Sequence, residues 1–75
     1  MPHIIVKVWP GHSREEKQAL AQALVQDTVR CLGGQPGWVS VDIQEVPEER
    51  WDEEVFQPEI AGRRGSLYAL PDELR

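Results

Sequence analysis

A long amphipathic stretch between two β-branched segments constrains the fold of this chain more than any other feature. Ser13 and Glu16 have the spacing of a capping box, which predicts that a helix begins after Ser13. Apolar residues then recur at helical intervals, and Gly33-Gly34 predicts that the helix ends at about Leu32. The resulting apolar face is wide enough to cover a sheet. Its two adjoining stripes are Leu20, Leu24, Thr28 and Cys31, and Ala21, Val25, Val29 and Leu32.

Residues 3–9 and 38–46 flank this helix, and both are predicted to be strands. The first is rich in β-branched residues, and its apolar row contains Ile4, Val6 and Val8. The second alternates apolar and polar residues, which indicates one buried face. Strand, helix and strand in this order predict a parallel pair with a right-handed crossover. The predicted fold class is therefore α+β, built on one β-α-β unit.

The length of the chain predicts self-association. A domain of 75 residues is marginal alone and usually needs disulfides, a metal or a partner subunit. The single cysteine excludes an intrachain disulfide, and with two histidines it gives no zinc spacing. Two strands alone are not a stable sheet. We therefore expect a homodimer in which two protomers form a four-stranded sheet backed by two helices, with a hexamer as the alternative.

The residues after the second strand are less regular. Residues 47–56 are compatible with one or two helical turns, which Pro58 is expected to interrupt. Residues 62–65, with a glycine at each end, are typical of a flexible turn. We expect one domain over residues 1–75, with residues 52–75 as a C-terminal extension that packs at the subunit interface.

Charge and hydropathy restrict the classes of partner that the chain is expected to bind. Thirteen acidic and eight basic residues give a net charge of −5, which argues against nucleic acid. No apolar run approaches the length of a membrane span, and the opening MPHIIVKVW lacks the features of a signal peptide. With a single thiol, these features favour a cytoplasmic protein. We expect a small-molecule substrate, no membrane partner, and no metal or other cofactor.

The second residue suggests a chemistry. Met1 precedes Pro2, and initiator methionine is usually removed before a small residue such as proline. The product would begin with a free secondary amine, a group that no internal proline offers. Ordinary α-amino groups have pKa values near ~8, and burial lowers the pKa by disfavouring the charged form. Pro2 continues the apolar row of the first strand, so its nitrogen is predicted to lie at the end of a buried face.

Together these features resemble the 4-oxalocrotonate tautomerase family over roughly residues 2–51. The shared features are an amino-terminal proline heading a strand, a Gly-X-Ser turn into a helix at Gly11-His12-Ser13, and a second strand. Other features look more like its dimeric branch, which includes enol-pyruvate tautomerases of the phenylpyruvate type. These are Pro2-His3-Ile4, Trp9-Pro10, Trp51 and the extended tail.

The resemblance implies an activity and a set of site residues. In the family the proline amine removes a proton from an enol hydroxyl and delivers a proton to carbon, so Pro2 is the implied catalytic residue. Two family arginines bind the substrate, and His12 and Ser40 stand at their positions, so the bidentate forks are lost. Arg14, Arg50, Arg63 and Arg64 are alternative sources of the missing cation, and Trp51 matches an aromatic pocket wall. The implied substrate-binding residues are His12, Ser40, Arg14, Arg50 and Trp51.

Other interpretations stay open at this point. His12 in a loop, Ser40 on an outward row and Trp51 in a core are each common without any function. A second candidate function is a hydratase or dehalogenase-type lyase acting on an unsaturated acid, which needs a charged amine. A third is a non-catalytic dimeric binding module, which retention of Met1 would favour.

Overall fold

The protein is described by a computed structural model that covers residues Met1–Arg75. Contacts divide the chain into two compact units, Met1–Glu45 and Val46–Arg75. The first contains β1 (His3–Val8), α1 (Arg14–Leu32), a 3-10 turn (Pro36–Trp38) and β2 (Ser40–Glu45). The second contains α2 (Glu48–Trp51), π-helical turns (Asp52–Ile60) and two 3-10 segments (Ala61–Ser66 and Asp72–Leu74). None of these helices combines the length and apolar character needed to cross a bilayer.

β1 and β2 form a parallel two-stranded sheet, with α1 as the crossover between them. The register places His3 opposite Ser40 at one end and Val8 opposite Glu45 at the other. This arrangement confirms the predicted α+β class and β-α-β unit. In a parallel pair the two strands begin at the same end, so Pro2 lies beside the first residue of β2.

Both strands are shorter than predicted. Trp9 lies outside β1, where Pro10 and Gly11 turn the chain. Trp38 belongs to the 3-10 turn that begins at Pro36, because the proline ring fixes φ at a value compatible with such a turn.

The predicted bounds of α1 are confirmed, since local capping determines them. The Ser13 hydroxyl accepts a hydrogen bond from the Glu16 backbone N–H at 3.0 Å. The Glu16 carboxylate accepts one from the Ser13 backbone N–H at 2.8 Å, which completes the capping box. At the other end, the Gly33 N–H donates to the Val29 carbonyl at 2.8 Å.

The carboxyl-terminal turn of α1 is less buried than predicted. Leu32 is 75% exposed, and Cys31, expected in the core, is also exposed. The 19 residues of α1 span about 28 Å, whereas the six residues of each strand span about 20 Å. The helix is therefore longer than the strand pair against which it packs, and its last turn has no sheet to cover.

A single chain buries very little apolar surface. Val55 is the only buried hydrophobic residue, and no side chain is fully buried. The helix-facing residues of the two strands, such as Ile4, Val41 and Ile43, are only partly buried. A domain with so little interior is typical of chains that complete their core by association. The four-stranded dimer sheet, the single-domain organisation and the interface role of residues 52–75 stay predictions.

Pro58 does not interrupt the helical segment of the second unit, contrary to the expectation. It lies inside the π-helical stretch Asp52–Ile60. Proline in an α-helix lacks an N–H donor and its ring clashes with a carbonyl of the preceding turn. A wider π turn shifts the carbonyl positions, and this gives a physical reason for the local departure from α-helical geometry.

Residues 62–65 lie in two short 3-10 turns that meet at a kink at Arg63, so the chain turns here as predicted. The Ala61 N–H donates to the carbonyls of Phe56 and Gln57. A Cβ at Gly62 would lie 2.7 Å from the Gln57 carbonyl oxygen, so glycine permits this close approach. The Arg64 guanidinium also donates to the Leu74 carbonyl at 2.5 Å, which fastens the turn to the end of the chain.

Candidate active site

Pro2 lies at the amino end of β1 and is partly buried. Its carbonyl accepts a hydrogen bond from the Ser40 backbone N–H at 3.2 Å, so the first residue of β2 helps to fix its position. Met1, in contrast, is 93% exposed and extends away from the fold. In the chain as written the Pro2 nitrogen is an amide, and it becomes a basic amine only when Met1 is removed.

His3 is the closest functional partner of the predicted site residue Ser40. Its Nδ1 lies 2.6 Å from the Ser40 Oγ, and both side chains project from the sheet face opposite α1. Both residues are exposed, so a ligand can reach the pair. The sequence interpretation placed Ser40 on the outward row but did not assign His3 a role in the site. The signal was that each residue lies on the less apolar row of its own strand, which becomes informative only when the strand register is known.

His12 and Arg14 lie at the other end of the strand pair. His12 is in the turn that follows β1, and Arg14 is the first residue of α1. His12 Nδ1 is 3.9 Å from a Glu16 carboxylate oxygen, and both side chains are more than half exposed. The pKa of Glu16 is lowered, first by the hydrogen bond from the Ser13 backbone N–H and then by the nearby His12 and the Ser13 hydroxyl. The helix start therefore carries an ionised carboxylate close to His12.

A cavity of about 180 Å³ opens beside this turn. Its walls are mainly apolar, and Lys17 at its edge forms an ion pair with Glu45 at 3.3 Å. Its lining residues are Val8, His12, Glu16, Lys17, Leu20 and Ile43. The cavity thus belongs to the carboxyl end of the strands and not to the Pro2 end.

One chain does not bring the predicted site residues together. Pro2 and Val8 are six residues apart along an extended strand, which corresponds to about 20 Å. His12 and Arg14 come after Val8, beyond the reach of a substrate atom held at the Pro2 nitrogen. Within the first unit, only Ser40 and the unassigned His3 accompany Pro2.

Arg50 and Trp51 belong to the second unit. Arg50 Nε forms an ion pair with the Glu54 carboxylate at 3.2 Å, which occupies part of its donor capacity. Trp51 is partly buried within the α2 turn. No group of three or more His, Cys, Asp or Glu side chains is arranged to hold a metal ion.

Comparison with known proteins supplies the family context. The model of the tautomerase enzyme family matches residues 2–55, starting at the proline. A probable tautomerase of Xylella fastidiosa is 39% identical over 97% of this chain and 100% of its own length. A tautomerase PptA of Cronobacter sakazakii is 42% identical over 95% of each chain. A tautomerase PptA of Pectobacterium atrosepticum is 36% identical over the same shares.

Proposed function

Because this chain belongs to the tautomerase enzyme family, we propose that it interconverts the enol and keto forms of a small 2-oxo acid. Family membership confirms the resemblance found in the sequence and the prediction of a tautomerase enzyme. The substrate class and the use of the Pro2 amine go beyond family membership and are what we propose.

The position of Pro2 carries the proposal. The family match begins at this residue, and the residue heads a strand whose partner strand holds its carbonyl. Met1 is almost fully exposed, so a peptidase can reach the bond that has to be cleaved. A secondary amine fixed at the edge of a folded unit can meet a substrate in one orientation, which is what a general base requires.

The reaction needs no net supply of protons or electrons. The neutral amine takes the proton of the enol hydroxyl as the oxygen becomes a carbonyl. The resulting ammonium then delivers a proton to the carbon, and the amine is neutral again. A positioned group of this kind contributes about 10²–10⁴-fold to the rate. No cofactor enters this scheme.

Association of chains is part of the same proposal. A homodimer in the cytoplasm would allow residues from one copy to approach Pro2 of the other, since within one chain His12 and Arg14 follow Val8, which lies about 20 Å from Pro2 along β1. In this arrangement His12, Arg14 or Arg50 would offer a cation to the carboxylate. Trp51 would help to exclude water, which favours the neutral amine.

The test begins with the processed chain. Intact mass should show a protein that lacks Met1, and ultraviolet absorbance should follow ketonisation of phenylenolpyruvate. Pro2→Ala keeps a free amino terminus but removes the ring amine, and we expect it to lose at least about 10²-fold in kcat. The rate should also fall as the pH decreases through the pKa of the amine, because protonation removes the base.

Two results would refute the proposal. Equal rates for wild type and Pro2→Ala would exclude the amine, and retention of Met1 in protein from its native cell would leave no amine to act. The opposite pH dependence, with activity lost as the amine becomes neutral, would indicate the hydratase chemistry instead.

A further inference from the structure

The His3–Ser40 pair is attached to Pro2 more closely than any other polar group of the first unit. His3 follows Pro2 in the chain, so their Cα atoms are about 3.8 Å apart. Ser40 is held by its backbone N–H, which donates to the Pro2 carbonyl at 3.2 Å. The side chains of the pair meet at 2.6 Å. The position of the pair relative to the Pro2 residue is therefore fixed from both strands.

The pair always presents a hydrogen-bond donor to solvent. If the Ser40 hydroxyl donates to His3 Nδ1, the proton of the neutral imidazole is on Nε2 and points outward. If His3 Nδ1–H donates to Ser40, the hydroxyl proton of Ser40 is available. If the imidazole is protonated, both Nε2–H and the hydroxyl are donors. In each state the pair can bind an anion.

A carboxylate on a substrate held at Pro2 can reach this pair. The Pro2 nitrogen is a backbone atom at the start of β1, between the two faces of the sheet, so a small acid at the nitrogen can also reach the outward face. The chain has a net charge of −5, and its overall field disfavours an approaching anion. Local donors are then needed to hold the substrate.

We infer that His3 joins Ser40 in binding the carboxylate of the substrate. This inference rests on the proposed tautomerase reaction at Pro2. The pair supplies hydrogen-bond donors to the carboxylate beside any cation that His12, Arg14 or Arg50 of another copy offers. His3 is thus a substrate-binding residue, and Ser40 both contributes a donor and orients the imidazole.

The experiment compares an acid with its ester. Ketonisation of phenylenolpyruvate and of its methyl ester is measured for wild type, His3→Phe, His3→Gln and Ser40→Ala. Loss of a hydrogen bond to a charged group should lower kcat/KM for the acid about ten- to a hundredfold in His3→Phe, mainly through KM. The ester should be affected less than about threefold. His3→Gln retains an N–H donor and should recover part of the loss.

Arg30→Gln is the control for a general change in surface charge. Arg30 lies on α1, is exposed, and pairs with Asp27, so the variant loses one positive charge away from the pair. It should process acid and ester like wild type. Thermal unfolding of every variant identifies those that fail to fold; if His3→Phe does, Ser40→Ala supplies the acid-versus-ester comparison.

Equal losses on acid and ester in a folded variant, or no loss on either, would overturn the inference. An inactive wild type would instead refute the proposed reaction. In that event calorimetric binding of phenylpyruvate decides the role of the pair. Weaker binding to folded His3→Phe than to wild type would support carboxylate binding, and equal affinity would exclude it.

Discussion

Two variants that are each expected to be inactive should restore activity when they assemble together. One chain carries Pro2→Ala, and the other carries His12→Ala with Arg14→Ala. Within a chain, about 20 Å of extended strand separates Pro2 from Val8, and His12 and Arg14 follow Val8. If His12 or Arg14 contacts the substrate at Pro2, that contact has to come from another copy of the chain.

The expected activity of the mixture follows from the fraction of sites in which every required residue is intact. In an equal and random mixture, half of the Pro2 positions are intact, and half of their neighbours supply the intact His12 and Arg14. About one quarter of all sites therefore regain every residue, whether the assembly is a dimer or a larger ring. The variants are unfolded together, refolded, and assayed for ketonisation of phenylenolpyruvate per chain.

The controls separate the alternatives. Variants refolded separately and mixed only afterwards should stay inactive, provided that subunits do not exchange during the assay. A mixture that stays inactive after joint refolding, although it contains mixed assemblies by mass spectrometry, would show that the lesions do not complement across subunits. A His12→Ala, Arg14→Ala chain that is fully active by itself would exclude both residues from the site.

Three further predictions concern the fold that positions the site. Glu16→Gln should destabilise the protein at neutral pH but not at acid pH, because the lowered pKa of Glu16 contributes stability that is lost as the pH falls through that pKa; urea unfolding at a series of pH values measures the difference. Gly62→Ala should lower the free energy of unfolding by about 1–3 kcal/mol, since its Cβ would lie 2.7 Å from the Gln57 carbonyl oxygen; a urea midpoint equal to wild type would contradict this close approach. Cys31 should react fully with a thiol reagent in the native protein because it is exposed, and protection without denaturant would show that association covers it.

Local chemistry made some elements predictable from the sequence. The start of α1 depends on two hydrogen bonds between residues three positions apart, Ser13 and Glu16, and its end follows from Gly33. The apolar alternation of the two strands likewise needs no distant information. These features led to the β-α-β unit and, with Pro2, to the tautomerase family.

Other features depend on contacts that the sequence pattern does not specify. The contact between His3 and Ser40 depends on the register of two strands that are joined by a long crossover. A shift of the register by one residue would move one of the two side chains to the other face of the sheet. The exposure of Cys31 depends on the relative lengths of helix and strands. The continuation of the helical segment through Pro58 depends on a local π turn that a proline rule does not anticipate.

The strand register also changes how the loss of a family arginine should be interpreted. When the sequence is compared with the family pattern at this position alone, the replacement of an arginine by Ser40 indicates weaker carboxylate binding. In the folded unit, however, the residue opposite Ser40 is His3, and its imidazole places further donors at the same end of the sheet. Under the role inferred for His3, carboxylate binding belongs to the pair of facing positions and not to one of them. An arginine at position 40 should thus make His3 dispensable, and Ser40→Arg combined with His3→Phe should bind phenylpyruvate more tightly than His3→Phe alone.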